Sequence, residues 1–318
     1  MNKKENISYI LKKNGVLIGF IVLFIAMFII SDTFRTAQNL INVLRQISIN
    51  GIIAVGMTFV ILTGGIDLCV GSLVAVAGVI AGSFITVHEK MGIVALLLAV
   101  FACGLFGLLN GILVSHANIP PFITTLATMS IARGFAYVYS DGKPYTITSD
   151  SFELYGKGSL GPIPVPVIFF IAVVVIAAIL LNKTRFGRYL YATGGNENAA
   201  IASGVKTKTI KTWAYLCSGI LTGLAGVILA SRIGSGQPAI AVGYETDAIA
   251  ATVIGGTSLV GGIGSIHGTV IGVLLIGVLN NGMNLMGISS YYQQIVKGVI
   301  IICAVLLLLF TVDLAFIL

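Results

Sequence analysis

The chain has 318 residues and a net charge of +7, from 18 Lys and Arg against 11 Asp and Glu, and only 9% of its residues are charged while 57% are hydrophobic. Soluble domains carry about 25% charged residues, and disordered chains combine few apolar residues with many charges, so both classes are excluded. The pI near 9.2 and the mean hydropathy of +1.04 indicate an integral membrane protein whose basic residues flank apolar runs, without a nucleic-acid partner.

Apolar runs recur along the whole chain at lengths near the 20 residues that a helix needs to cross a bilayer. They predict an all-α polytopic protein with about ten transmembrane helices. No linker interrupts the series, so residues 1–318 are expected to form a single transmembrane domain in the lipid bilayer. The ten predicted spans are 14–30, 47–63, 69–87, 91–115, 119–139, 163–181, 212–231, 247–260, 266–286 and 291–312.

Basic residues concentrate in the N-terminal segment and in the loop 182–211. Because cytoplasmic loops are enriched in Lys and Arg, both termini and this loop are expected on the cytoplasmic side. The residues concerned are Lys3, Lys4, Lys12 and Lys13 in the first region, and Lys183, Arg185, Arg188, Lys206, Lys208 and Lys211 in the second.

Two segments on the side opposite the cytoplasm, 140–166 and 233–246, are predicted to be ordered. The first contains Gly161-Pro162-Ile163-Pro164-Val165-Pro166, and because proline resists helix continuation this stretch is expected to be extended. Two interpretations remain open: the segments are plain connectors, or they receive a partner that delivers cargo.

No sequence motif for covalent or hydrolytic chemistry occurs. The chain lacks GxxxxGK[ST], HExxH and GxSxG, and its four cysteines form no CxxC pair. We therefore predict no catalytic residues, no metal site and no cofactor. Cys69, Cys103, Cys217 and Cys303 are expected to be free thiols that pack as small apolar side chains.

An internal echo marks two glycine-rich stretches, 64–71 and 255–262, which both fit GGx[DS]Lx2G. Glycine-interrupted segments that recur in two halves of a transporter point to its transport site, although two ordinary tight turns would give the same pattern. On the first interpretation the substrate pathway is predicted to include Thr63, Gly64, Gly65, Asp67, Ser72, Gly255, Gly256, Thr257 and Ser258.

Asp67 is an isolated acid among apolar residues. A charge at bilayer depth is costly and usually functional, but a carboxylate at the interface would equally cap the next helix. Both interpretations are kept. Asn280 and Asn284 share a helix face, which suits either an uncharged, hydroxyl-rich cargo or interhelical hydrogen bonds.

The loop 182–211 contains a candidate two-turn helix. Asn196 is a plausible N-cap, Glu197 lies at the favourable end of the helix dipole, and Gly204 occupies the C′ position. The alanines between them carry little bulk, so the helix either fits a groove of a cytoplasmic partner or is a plain surface helix.

Several blocks in fixed order resemble permease subunits of bacterial ATP-binding cassette (ABC) sugar importers, and most closely those for ribose. They are 50–72, 192–200 and 247–262, with further matches at 121–129, 139–142, 279–282 and 291–298. The resemblance covers about residues 35–308. Pentose, hexose and signal-furanoside permeases share these blocks, so it is less specific for the sugar.

This resemblance implies a multi-pass protein of the bacterial plasma (inner) membrane that forms the pathway for a monosaccharide, ribose first. It implies a second permease copy, a cytoplasmic ATP-binding subunit that hydrolyses ATP, and an extracytoplasmic sugar-binding protein. It also implies that the predicted helix couples to the ATPase, through Gly195, Asn196, Glu197, Ala199, Ala200 and Gly204. The family commonly has Ser where this chain has Cys69, and a basic residue near Ile263.

Two other functions remain to be weighed. An ion-coupled secondary sugar carrier requires intramembrane acids or histidines in a relay, and here only Asp67 qualifies. A membrane-embedded enzyme requires a clustered nucleophile, base or metal set, which the sequence does not contain.

Overall fold

The computed structural model describes the backbone of residues 3–317, with side chains described for residues 15–303 and for Leu306. Within this part the protein is all-α, with four two-residue strands. The helices are α1 (Lys3–Ile30), α2 (Ala37–Leu62), α3 (Val70–Val87), α4 (Gly92–Ser115), α5 (Pro121–Tyr139), α6 (Asp150–Glu153), α7 (Val165–Lys183), α8 (Arg185–Gly195), α9 (Glu197–Ala202), α10 (Thr207–Ile233), α11 (Tyr244–Ile254), α12 (Ile266–Leu285) and α13 (Ser290–Ile317).

The number of membrane spans departs from the prediction. In the described part of the chain, six helices are long and apolar enough to cross a membrane: α2, α3, α4, α7, α10 and α12. These six cover the predicted spans 47–63, 69–87, 91–115, 163–181, 212–231 and 266–286. The all-α polytopic class is confirmed, and the count of about ten is wrong.

The other four predicted spans are not among these six helices, for different reasons. In 14–30, the apolar helix with described side chains covers only Gly15–Ile30. The span 119–139 forms α5, which is helical but carries Arg133 and several buried threonines. The span 247–260 becomes α11, whose 11 residues reach only about 16 Å at 1.5 Å per residue. Most side chains of 291–312 beyond Cys303 lie outside the described residues.

Helix α2 forms the centre of the bundle and packs against α7, α10, α11 and α12. Its first half carries Arg45 and several amide side chains, whereas its second half is almost entirely apolar and is buried continuously from Gly51 to Leu62. Such a segment is typical of a helix surrounded by other helices. Helix α3 is similarly enclosed by α4, α5 and α10. Helices α2 and α3, which are both largely buried, therefore follow each other directly in the chain, on either side of the first glycine motif.

Glycines bring α4 and α10 into close backbone contact. The α-carbon and nitrogen of each of Gly107 and Gly219 lie 3.0–3.1 Å from where a Cβ of the other would stand. A Cβ at Gly111 would stand 2.7 Å from the α-carbon of Thr212. Small residues at this spacing permit such approach in membrane helices, so part of the high glycine content is explained by helix packing.

The segments between α5 and α7 and between α10 and α11 are ordered and joined to each other. Strand β1 (Tyr145–Thr146) pairs with β4 (Ser235–Gly236), and β2 (Ser159–Leu160) pairs with β3 (Ile163–Pro164). The extended conformation predicted for the proline-rich stretch before α7 is confirmed at β3. Whether these segments receive a partner stays a prediction.

A polar network connects α11, α12 and α13. The ammonium of Lys297 lies 2.8 Å from Oδ1 of Asp247, and the amide of Asn280 donates to Oδ2 of Asp247 (3.3 Å). Gln293 donates to Oδ1 of Asn284 (2.8 Å). Of the two roles predicted for Asn280 and Asn284, the interhelical hydrogen bonds are present.

Candidate functional site

Asp67 lies in the turn between α2 and α3, where its side chain is fully buried. Oδ1 accepts a hydrogen bond from the backbone N–H of Cys69 (3.1 Å), and Oδ2 accepts one from the hydroxyl of Ser218 (2.9 Å). Ser218 lies about three turns into α10, which begins at Thr207, and this is about 16 Å along the helix axis. Both carboxylate oxygens thus have partners within the chain, at depth in the bundle and beside the start of α3.

The rest of this first glycine turn (residues 63–69) is held against α10 and α2. The hydroxyl of Tyr215 donates to the carbonyl of Ile66 (3.1 Å), and the hydroxyl of Thr63 donates to the carbonyl of Val60 (2.7 Å). Gly64 adopts a φ of +75°, in the left-handed region that glycine enters at no steric cost. The turn is therefore fixed by neighbouring helices as well as by its own backbone.

The second glycine turn (residues 255–264) connects α11 to α12 and is held mainly by itself. The N–H of Ser258 donates to the carbonyl of Ile263 (2.9 Å), and the hydroxyl of Ser258 accepts from the N–H of Val260 (3.3 Å). Ser258 thus repeats the bond from Asp67 to the residue two positions later, so the sequence echo is also a structural one. Gly256 has a φ of +89°, and the buried hydroxyl of Thr257 has no hydrogen-bond partner among the described residues.

The two turns meet through their backbones at the end of α8. The N–H of Gly262 donates to the carbonyl of Leu62 (3.0 Å). A Cβ on Gly194 would overlap that same carbonyl oxygen and would stand 2.5 Å from the nitrogen of Gly262. We call this contact of Leu62–Gly65, Gly194–Gly195 and Val260–Gly264 the glycine junction.

Two further contacts complete the glycine junction. The hydroxyl of Tyr191, on α8, donates to the carbonyl of Gly264 (2.9 Å). The carbonyl oxygen of Val260 lies 3.1 Å from the position of a Cβ on Gly64. Three segments that are far apart in sequence are therefore packed at backbone distance, where a side chain would prevent the approach.

Helix α9 follows the junction immediately and has the caps that the sequence predicts. The side chain of Asn196 accepts from the N–H of Ala199 (3.0 Å), and Gly204 has a φ of +82°. The carboxylate of Glu197 lies 2.6 Å from the ammonium of Lys211 on α10. Of the two predicted coupling alanines, Ala200 is buried against the chain itself and Ala199 is exposed.

The predicted pathway residues are therefore divided between three places. Thr63, Gly64, Gly65 and Asp67 form the first turn, and Gly255, Gly256, Thr257 and Ser258 form the second. Ser72 lies in the first turn of α3 and lines a separate cavity. A role of these residues in the pathway stays a prediction.

Sequence reasoning missed the residues that make the contact itself, Gly194, Gly261 and Gly262. Nothing in the sequence distinguishes Gly194 from Gly195, although only Gly194 lacks room for a Cβ. It also left aside Arg133 and Glu245, which line the cavity beside Ser72. The charge of Arg133 inside a predicted span was the available signal, since intramembrane charges usually mark functional sites.

Comparisons with known proteins identify the family. Residues 39–305 match the family described as the branched-chain amino acid transport system permease component. The chain is 47% identical over 307 residues to the ribose import permease protein of Bacillus subtilis (strain 168), covering 96% of this chain and 95% of that protein. No solved structure matches the chain.

Further relatives are named for the transport of two different sugars, ribose and L-arabinose. The ribose import permease protein of Escherichia coli (strain K12) is 46% identical over 294 residues, covering 91% of each chain. The L-arabinose transport system permease protein of the same organism is 43% identical over 292 residues, covering 92% of this chain and 89% of that protein. The resemblance to sugar permeases predicted from the sequence is confirmed, and the chain belongs to the family of branched-chain amino acid transport system permease components.

Proposed function

We propose that the chain is the transmembrane subunit of an ABC importer that carries ribose across the bacterial plasma membrane. The observation that carries this proposal is the 46–47% identity to ribose import permeases over more than nine-tenths of the chain. The relatives named for L-arabinose reach 43% or less. Ribose is therefore the substrate that we propose, and L-arabinose is the alternative sugar to be tested against it.

The proposed assembly has three further components. A cytoplasmic ATP-binding subunit contacts α9, which exposes the small side chains of Asn198, Ala199 and Ala202 together with the apolar side chain of Ile201. An extracytoplasmic sugar-binding protein contacts the opposite end, where β1 and β4 join two ordered segments. A second copy of the permease completes the pathway as a homodimer.

The glycine junction provides a physical route from ATP hydrolysis to the pathway. Helix α9 continues from α8 through the Asn196 cap, and Gly194 of α8 touches the carbonyl of Leu62 and the nitrogen of Gly262. A displacement of α9 by the ATPase would therefore be passed to the second glycine turn. The first turn would move less, because Asp67 and Ile66 are bonded to α10.

Proteoliposomes test this proposal directly. They contain the chain, its ATP-binding subunit and the sugar-binding protein, with ATP enclosed on the cytoplasmic side, and the uptake of radiolabelled ribose is measured. We expect concentrative uptake that requires ATP and the binding protein and that an excess of L-arabinose reduces less than unlabelled ribose does. Stronger inhibition by L-arabinose than by unlabelled ribose would show that L-arabinose, and not ribose, is the preferred substrate.

The same vesicles separate the importer from an ion-coupled carrier. The chain alone, without ATP, is given a proton or sodium gradient. We expect no accumulation of ribose, since Asp67 is bonded to a backbone N–H and to the hydroxyl of Ser218, and its bonds join it to no acid or histidine that would pass an ion on. Accumulation by the chain alone would contradict the proposed function.

A further inference from the structure

A cavity of about 350 Å³ with both polar and apolar lining lies between α3, α5 and the start of α11. Its lining comprises Ser72, Met129, Ser130, Arg133, Val242 and Glu245. Pockets for small molecules combine apolar walls with a few placed polar groups, and this volume is near the lower end of their range. The cavity therefore has the size and the mixed lining expected for a small polar solute.

Arg133 is held in place by backbone carbonyls at the edge of the cavity. Its Nη1 donates to the carbonyl of Pro238 (2.7 Å) and to that of Ile240 (2.8 Å). A guanidinium carries five N–H donors, and among the described residues the bonds to Arg133 use Nη1 alone. These two bonds fix the guanidinium at the cavity and leave its Nε and Nη2 donors for a ligand, so that binding avoids the entropy loss of ordering a mobile side chain.

Glu245 is positioned from the other side by two glycines. Its Oε1 accepts from the N–H of Gly243 (3.2 Å) at the start of α11. A Cβ at Gly71 would overlap its Oε2 and would stand 2.7 Å from the carbonyl oxygen of Ala241, so the glycine lets both the carboxylate and this backbone segment approach α3. The carboxylate is therefore held at the cavity by the hydrogen bond from Gly243, and it occupies space that is left open by the lack of a side chain at Gly71.

Arg133 and Glu245 share the cavity without forming an ion pair with each other. The ion pairs within 4.0 Å in the described part of the chain join other residues. A fixed donor group and a fixed acceptor group that face a common space match a molecule that offers both kinds of partner. Neighbouring hydroxyls of a sugar do so, because each hydroxyl donates one hydrogen bond and accepts others.

We propose that this cavity is a sugar subsite of the transport pathway, in which Glu245 accepts and Arg133 donates hydrogen bonds to the hydroxyls of a pentose. Met129 and Val242 supply apolar surface for its C–H groups, and the hydroxyls of Ser72 and Ser130 complete the lining. This inference rests on the proposed function and adds to it the residues that bind the cargo. Of the residues predicted from the sequence to form the pathway, Ser72 alone lines this cavity.

Two pairs of variants test the subsite in the reconstituted importer, with uptake of radiolabelled ribose and ATP hydrolysis measured on the same vesicles. Glu245→Gln keeps the shape of the side chain and removes its charge, and Glu153→Gln is the control on an exposed ion pair with Lys157. Gly71→Ala places a methyl group against the Glu245 carboxylate and 2.7 Å from the carbonyl oxygen of Ala241, and Gly134→Ala is its control, because nothing lies within 4 Å of a Cβ at that position.

Because a hydrogen bond to a charged group contributes about 1.5–3 kcal/mol, we expect Glu245→Gln and Gly71→Ala to lower ribose uptake by about ten- to a hundredfold. ATP hydrolysis stimulated by the binding protein should stay within about twofold of the parent, and both controls should transport normally. Uptake at the parental level in either cavity variant, with the complex assembled, would overturn the subsite. If the parent itself transports no ribose, the proposed function fails first, so the two failures are distinguishable.

Discussion

The two glycine turns share one sequence motif but are held in different ways. In the first turn the carboxylate of Asp67 is completely buried and bonded to Ser218 of α10. In the second turn the equivalent Ser258 bonds only within its own loop, and Val260 and Ile263 are 79% and 59% exposed. The difference indicates that one copy of the motif is an anchor and the other is the part that α8 and α9 can displace.

The largest expected effect is at the anchor. Asp67→Ala leaves the hydroxyl of Ser218 and the N–H of Cys69 without their buried acceptor, and each lost partner costs about 1–3 kcal/mol. We expect a lower unfolding temperature in detergent and the loss of measurable ribose uptake. Cys69→Ser exchanges one small side chain for another next to Asp67 and serves as the control, which should retain most of the uptake. Equal stability of the two variants would show that Asp67 does not anchor the first turn.

The next effect is at the contact between the turns. Gly194→Ala places a methyl group against the carbonyl of Leu62, whereas Gly195→Ala meets nothing within 4 Å. Because overpacking costs about 1–3 kcal/mol, we expect Gly194→Ala to lower ribose uptake by roughly tenfold or more. Gly134→Ala, where a Cβ also meets nothing within 4 Å and which lies outside the glycine junction, is the control and should transport like the parent. Normal uptake in Gly194→Ala would show that the backbone contact is not required.

A smaller effect is expected on the surface of α9. Ala199→Leu adds bulk to an exposed position of the proposed ATPase contact, without a change in the internal packing of the chain. We expect ribose uptake to fall several-fold while ATP hydrolysis continues, since the partner would no longer engage the helix closely. Ala37→Leu, at an exposed position at the start of α2, is the matched control. Parental uptake in Ala199→Leu would count against a contact at this face.

The smallest effect is at Ser258. Ser258→Ala removes the acceptor for the N–H of Val260, and although Ser258 is buried, Val260 lies at the surface of the turn. Water replaces such a partner at little cost, because the net contribution of one hydrogen bond is only about 0.5–1.5 kcal/mol even when it is formed. We expect ribose uptake within about twofold of the parent. A loss as large as that of Asp67→Ala would make both turns anchors and remove the contrast.

Local patterns predicted much of the fold. Apolar runs located six helices, and the Asn196 cap and Gly204 bounded α9 correctly. The count of spans was wrong because hydropathy cannot separate a helix from a break within an apolar run. The predicted span 247–260, for example, is broken because α11 already ends at Ile254. Helix α5 contains Arg133, which lines the cavity between α3, α5 and α11.

The site was predicted less completely, because the residues that meet there are far apart along the chain. The echo correctly paired Asp67 with Ser258, since each accepts from the N–H two residues later. The glycine junction joins residues near 62, 194 and 262, and such contacts depend on how the helices pack. No local pattern shows which glycine touches another backbone.

The central claim is that α9 and the second glycine turn move together when the ATPase acts, and spin-label distances measure this directly. Ile201→Cys on α9, Val260→Cys in the second turn and Val87→Cys at the far end of α3 are exposed positions. The labels are placed pairwise in the assembled importer, with the accessible Cys217 and Cys303 replaced by Ser, and distances are measured by pulsed electron paramagnetic resonance with and without ATP.

We predict that the distance between labels at 201 and 260 stays within about 2 Å on addition of ATP, while the distance between labels at 87 and 260 changes by about 5 Å, the scale of a one-turn shift. A change in the first distance with none in the second would contradict the account, because α9 would then move without the turn that it contacts.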